Sequence, residues 1–266
     1  MNPNPPAEIN WKAESQRFDA VPDAYETYRP GYPAEMIQAI IDQSGLQPDG
    51  SILEIGSGTG KATEPFARRG YTVLCVEPGQ HLMAKAAHRF ADFSRVSFVN
   101  TTFEDWLAPE ASFDLVISGQ AFHWIDKEIG FPKIHRALRA NAWLAVFWNS
   151  QPPDVSPIWT EIDQVYRTQA PALYKESDSY ETSLEKPKQE IEACGFFHPV
   201  ALVRFPWQAA FNIDQYLGLL GTYSDHLGLD ESIRARLYAG IAEVIDRHGG
   251  AIDKNYEACL YMAQKK

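Results

Sequence analysis

At 266 residues, with 22% charged and 45% hydrophobic side chains, the chain suits one elaborated α/β domain and leaves little room for a second. A formal net charge of -11 without any basic run works against binding to a phosphate backbone, so no nucleic-acid partner is expected. No long apolar stretch offers a membrane span, and the opening Met1-Asn-Pro-Asn-Pro-Pro-Ala-Glu8 lacks the charged and apolar segments of a signal peptide, so a cytoplasmic protein is expected.

In chain order, residues 18–33 are rich in Tyr and Pro and show little periodicity of their own. Pro33–Gln43 reads as a helix with Met36, Ile37, Ile40 and Ile41 on one side. A strand over 51–55, a helix over 61–69, a strand over 71–76, a helix over 79–90 and a strand over 96–99 follow. The run Phe113–Ser118 is the next strand, then a helix near 127–139 and a strand over Trp143–Trp148. Helix and strand keep alternating, which predicts a parallel, doubly wound sheet covered on both faces. The remainder reads as helices around 155–169 and 181–194, a strand near 199–205, helical stretches around 212–222 and 230–247, and a final strand near 257–263. Trp143 and Trp148 read as core of the fifth strand.

Between the first strand and its helix the chain reads Ser51-Ile-Leu-Glu-Ile-Gly-Ser-Gly-Thr-Gly60, with glycines at alternate positions. Glycine permits a tight turn and the close approach of a ligand to bare backbone, and the following helix start offers unpaired N–H groups. The second strand ends in Glu77, where an acid accepts hydrogen bonds from ribose hydroxyls in such folds. A dinucleotide pattern G-x-G-x-x-G would need glycine at position 61, which is Lys61. A nicotinamide-dependent oxidoreductase is thereby disfavoured, and a noncatalytic nucleotide-binding protein stays open as a further alternative.

Glu54-x-Gly56-x-Gly58-x-Gly60, completed by Glu77, resembles motif I of the class I S-adenosyl-L-methionine (SAM)-dependent methyltransferases. Three other stretches are similar to the small-molecule enzymes of the type 11, ubiquinone/menaquinone-biosynthesis and trans-aconitate methyltransferase-like kind. They are Phe18-Asp-Ala with Tyr25-Glu-Thr-Tyr-Arg-Pro-Gly-Tyr-Pro33, Ser118-Gly-Gln-Ala-Phe-His-Trp124, and Asn212–Ser224. Together these cover nearly the whole chain.

The resemblance implies a single domain over 1–266, with a Rossmann-like seven-stranded sheet whose last strand is antiparallel. It divides the chain into an N-terminal cap over 1–33, a cofactor-binding core over 34–150, and a C-terminal part over 151–266 that holds a helical substrate-lid insertion at about 207–250. The implied cofactor is SAM, leaving as S-adenosylhomocysteine, held by Tyr28, Arg29, Glu54, Gly56, Ser57, Gly58, Gly60, Glu77, Pro78, Thr102, Phe103, Gln120 and Ala121. The implied reaction is methyl transfer to a small molecule, with an oxygen acceptor, a carboxylate or a hydroxyl, expected. Tyr25, Tyr32, Trp124 and Tyr223 are candidates for the acceptor pocket.

His123 follows the carboxyl end of the fourth strand and is either the base that deprotonates a hydroxyl or a residue that shapes the pocket. Two departures from the family pattern stand out. Thr102 occupies the slot where relatives carry an acid for the adenine amino group, with Glu104 and Asp105 next to it. The turn before the fifth strand has Asn141 in place of glycine, and asparagine tolerates the left-handed conformation that this turn requires. Cys75, Cys194 and Cys259 are scattered, and His135, His198, His226 and His248 show no metal-ligand spacing.

Overall fold

The computed structural model describes residues 18–174 and 179–266; the opening part of the expected cap, 1–17, lies outside the described residues. Strands β1 (Ser51–Ile55), β2 (Thr72–Val76), β3 (Val96–Val99), β4 (Phe113–Gly119), β5 (Leu138–Ser150), β6 (Ala201–Asn212) and β7 (Ala251–Gln264) form one sheet in the order β3-β2-β1-β4-β5-β7-β6. The first five run parallel, whereas β7 is antiparallel to both of its neighbours. Strand order reverses between β1 and β4, which opens a crevice at their carboxyl ends.

Alternate residues of β1 explain the layering. Ile52 joins Met36, Ile37 and Ile40 of α2 (Ala34–Ser44) and Phe66 of α3 (Thr63–Ala67) on one face, while Leu53 points the other way, to Ile134 of α5 (Lys127–Ala137) and Leu184 and Ile191 of α7 (Tyr180–Ala193). Helix α4 (Gln80–Arg89) follows β2. A further apolar cluster lies beyond the sheet, where α6 (Pro157–Gln169), α8 (Ile213–Leu220) and, after the single turn α9 (Ser224–Leu227), α10 (Glu231–Arg247) enclose Phe211, Ile252 and Tyr256 from the far ends of β6 and β7.

Several boundaries differ from expectation for physical reasons. Helix α3 spans only Thr63–Ala67, because turns continue past the glycines through Ala62. Strands β6 and β7 pair continuously from Ala201↔Met262 to Asn212↔Ala251, so both extend far beyond 199–205 and 257–263, and the segment between them is 213–250. Pro206 is accommodated because β6 is the edge strand. Strand β5 begins at Leu138, and the turn expected before Trp143 persists inside it as a register shift with Asn141 at φ 62°. Trp143 and Trp148 are half-buried and pack on opposite faces of the sheet.

Residues 22–28 form a short helix, α1 (Pro22–Tyr28), with proline in its first turn. This segment is tied down from several sides. Asp19 Oδ1 accepts from the backbone N–H groups of His81 and Leu82 at 2.7 and 2.9 Å, Asp23 pairs with Lys85, and Glu26 pairs with Arg89 at 2.9 Å.

Candidate active site

A cavity of about 1050 Å³ opens in the crevice, walled by Gly56 and Gly58 after β1, by Glu77 and Pro78 after β2, and by Gly119, Gln120 and Ala121 at the end of β4. Gly58 sits at φ 55°, and a Cβ there would meet only the Tyr25 ring, at 3.5 Å. Gly60 is different. It sits at φ 86° behind the wall, where a Cβ would fall 2.3 Å from Phe90, so it is required by packing and does not face the cavity.

Glu77 is 6% exposed, and its two carboxyl oxygens accept from the N–H groups of Gly58 and Gly79, each at 2.8 Å. Burial pushes its carboxyl up to about 7 against the pull of those two donors. One lone pair per oxygen stays available for a pair of vicinal hydroxyls. Glu54 lies beneath the loop, away from the wall. It accepts from Thr63 Oγ1 at 2.6 Å and is pushed up to about 8 by burial. Ser57 is buried and likewise off the wall.

Thr102 and Phe103 line the cavity next to Glu104 and Asp105. The Thr102 hydroxyl is engaged with Asp105, donating to Oδ2 at 2.8 Å while accepting from the Asp105 N–H at 3.1 Å. Gln120, at φ 57°, is held by two bonds to β5: its N–H to the Phe147 carbonyl and its Oε1 from the Asn149 N–H, both 2.9 Å.

The aromatic candidates separate into two groups. Tyr25, Trp124 and Tyr223 line the cavity with Phe18, whose ring stands edge-on to Trp124 at 5.6 Å. Tyr28 and Tyr32 do not: Tyr28 would collide with any side chain at Gly218 of α8, and Tyr32 stands edge-on to Phe147 at 4.7 Å. Arg29 joins the N-terminal segment to the segment between β6 and β7, donating from Nε and Nη2 to Thr222 Oγ1 and O at 2.8 Å, with its guanidinium 4.4 Å from the Tyr223 ring centroid.

His123 belongs to a short 3-10 turn, Phe122–Trp124, and is open to the cavity. Its Nδ1 lies 3.2 Å from Trp148 Nε1. The surrounding protein, followed by the Lys127 ammonium, pushes its pKa down to about 4. Lys127 itself donates to the carbonyls of Phe122 and Ile125 at 2.6 and 3.2 Å, which pins the turn.

The sequence reading missed the far wall: Asp126, Lys127, Glu190, Ser224 and Asp225. The Asp126 side chain caps α5, and an Asp just before that helix could have been found as an N-cap signal. Glu190, on a helix remote in sequence, carries no such signal. Among the described residues, no group of three or more His, Cys, Asp or Glu could hold a metal ion, and no helix is long and apolar enough to cross a membrane.

Residues 53–146 match the family described as Methyltransferase domain. An uncharacterized methyltransferase of Mycobacterium tuberculosis is 30% identical over 142 residues, 52% of this chain and 54% of that protein, so the match spans about half the length of that relative. An uncharacterized methyltransferase-like protein of Schizosaccharomyces pombe is 25% identical over 228 residues, 83% of this chain and 82% of its own length. Among solved structures, phosphoethanolamine N-methyltransferase 2 of Haemonchus contortus in complex with S-adenosyl-L-methionine superposes with a TM-score of 0.56 at 18% identity, covering 98% of this chain and 61% of that one. At such identity the likeness is one of fold.

Proposed function

We propose that this chain, whose residues 53–146 match the Methyltransferase domain family, transfers the methyl group of SAM to a hydroxyl of a small molecule. The observation that carries this reading is the cavity wall formed by Gly56, Gly58 and Glu77 at the crevice of the sheet. Bare backbone there suits an amino-acid arm, and a buried carboxylate with two open lone pairs suits a ribose. The sulfonium supplies an already electrophilic methyl group, so the protein's part is to hold the acceptor in line and keep water out.

The charge on the wall bears on the acceptor. Six acidic residues, Glu77, Glu104, Asp105, Asp126, Glu190 and Asp225, face Arg29 and Lys127. Such a field favours a sulfonium and opposes the entry of a carboxylate, which leaves a hydroxyl as the better of the two oxygen acceptors. The hydroxyl's proton leaves to solvent as the O–C bond forms, on the side of the wall where Glu190 and Asp225 are exposed. Burial and the Lys127 ammonium push the His123 pKa down to about 4, which weakens it as a base and favours its reading as a residue that shapes the pocket. The lid reading for 213–250 rests on Tyr223, Ser224 and Asp225 reaching the wall, and the cap reading on Phe18, Tyr25 and Arg29 doing so from the other side.

Calorimetry tests the reading directly. S-adenosylhomocysteine should bind and NAD should not, and Glu77→Ala should weaken S-adenosylhomocysteine by about 1–3 kcal/mol, roughly 5- to 150-fold. Unchanged affinity in that variant, or binding of NAD alone, would sink it.

A further inference from the structure

Trp148 makes a contact that its place in β5 does not require. An indole N–H can only donate a hydrogen bond. With Trp148 Nε1 3.2 Å from His123 Nδ1, that ring nitrogen presents its lone pair. A neutral imidazole must then carry its single proton on Nε2. No side chain or carbonyl among the described residues hydrogen-bonds to Nε2, so its N–H is the donor His123 offers to the cavity it lines.

The arrangement is braced. The Trp148 indole stands edge-on to Tyr261 at 5.6 Å, and Tyr261 is 1% exposed with its hydroxyl donating to the Leu184 carbonyl at 2.7 Å. On its other side the imidazole lies 4.7 Å from the Trp124 ring. Of the charged groups at this end of the cavity, Lys127 opposes a second proton on the ring, while Glu190 of α7, Glu104 and Asp126 interact favourably with that ammonium.

We propose that Trp148 is a positioning residue that locks His123 in the Nε2–H tautomer, so that His123 meets the methyl acceptor as a hydrogen-bond donor to an oxygen lone pair and not as a base. What this says about the acceptor rests on the methyl-transfer reading; the tautomer does not. It also accounts for a tryptophan whose ring alone would have served packing.

The test is the nitrogen spectrum of histidine-labelled full chain without ligand, His123 being assigned by the signals lost in His123→Gln. In the wild type, Nδ1 of His123 should show the shift of an unprotonated ring nitrogen and Nε2 that of a protonated one. In Trp148→Phe, which keeps a ring but loses the donor, the two shifts should move toward each other as the tautomers exchange, with S-adenosylhomocysteine affinity unchanged. Should that variant lose its cooperative melt, Trp148→Leu provides the same reading. A protonated Nδ1 in the wild type, or an unchanged pair of shifts in the variant, overturns the proposal. Failure to bind S-adenosylhomocysteine with the expected shifts in place would remove the methyl-transfer reading and leave the tautomer standing.

Discussion

Gly60→Ala should melt earlier than Gly58→Ala, although only Gly58 touches the cavity. Both positions hold left-handed backbone, at φ 86° and 55°, and an L-residue there costs roughly 1–2 kcal/mol. At position 58 little else is lost, since the new Cβ would rest 3.5 Å from the Tyr25 ring, an ordinary contact. At position 60 it would fall 2.3 Å from Phe90 Cε2 and 3.0 Å from Cζ. That ring cannot swing away, because Phe90 is 3% exposed and packs against Phe93 and Phe98 at 5.4 and 6.1 Å. Overpacking adds about 1–3 kcal/mol, giving a total of about 2–5 kcal/mol. At about 2–4 °C per kcal/mol for a chain of this size, Gly58→Ala should lower Tm by about 2–8 °C and Gly60→Ala by about 4–20 °C. Thermal denaturation of the two variants side by side, without ligand, is the assay. Equal or reversed melting temperatures would refute the placement of Gly60 against Phe90.

Glu54 makes stability depend on pH in a predictable sense. Burial pushes its folded carboxyl up to about 8 from an ordinary value of 4.5, so the native chain binds a proton that the unfolded chain releases, and stability should fall as pH rises from about 4.5 to 8. Glu54→Gln, which keeps an acceptor for Thr63, should flatten that decline in denaturant titrations at several pH values; a parallel decline would remove Glu54 as its source. At the cap, Arg29→Lys should break the fork onto Thr222 and cost about 1–3 kcal/mol. Hydrogen exchange should then quicken in both 18–33 and 213–223, while saturating S-adenosylhomocysteine should slow it in the wild type; exchange unaltered by the substitution would count against Arg29 holding the two segments together.

How far the sequence carried depended on whether a feature was local. The glycine loop, Glu77 and the alternation of apolar runs are all short-range signals, and they placed the crevice and much of the cavity lining between Gly56 and Ala121. The long hairpin of β6 and β7 was under-read because Asp253, Lys254 and Asn255 have low strand propensity and are held by pairing with Gln208, Ala209 and Ala210. Lys254 is buried there, enclosed by the rings of Trp159, Tyr216 and Tyr256, a setting that no pattern of charge along the chain announces. Trp148 read as core because its partner, His123, is 25 positions away. Tyr28 and Arg29 are neighbours in the same motif, yet one packs on α8 and the other reaches the cavity, a division that only the turn of α1 decides.

The bonds from Asp19 to the N–H groups of His81 and Leu82 have a consequence for the stability of α4. Helix α4 begins after Gly79, which has no side chain to cap it, and the capping carboxylate comes from a residue 62 positions earlier. Detaching residues 18–28 therefore strips a helix of its N-terminal acceptor, at about 1 kcal/mol, in addition to whatever the segment's own contacts contribute. Since that helix starts immediately behind Glu77 and Pro78, which line the cavity, the hold of Asp19 on its first turn ties the order of that stretch of wall to the docking of residues 18–28.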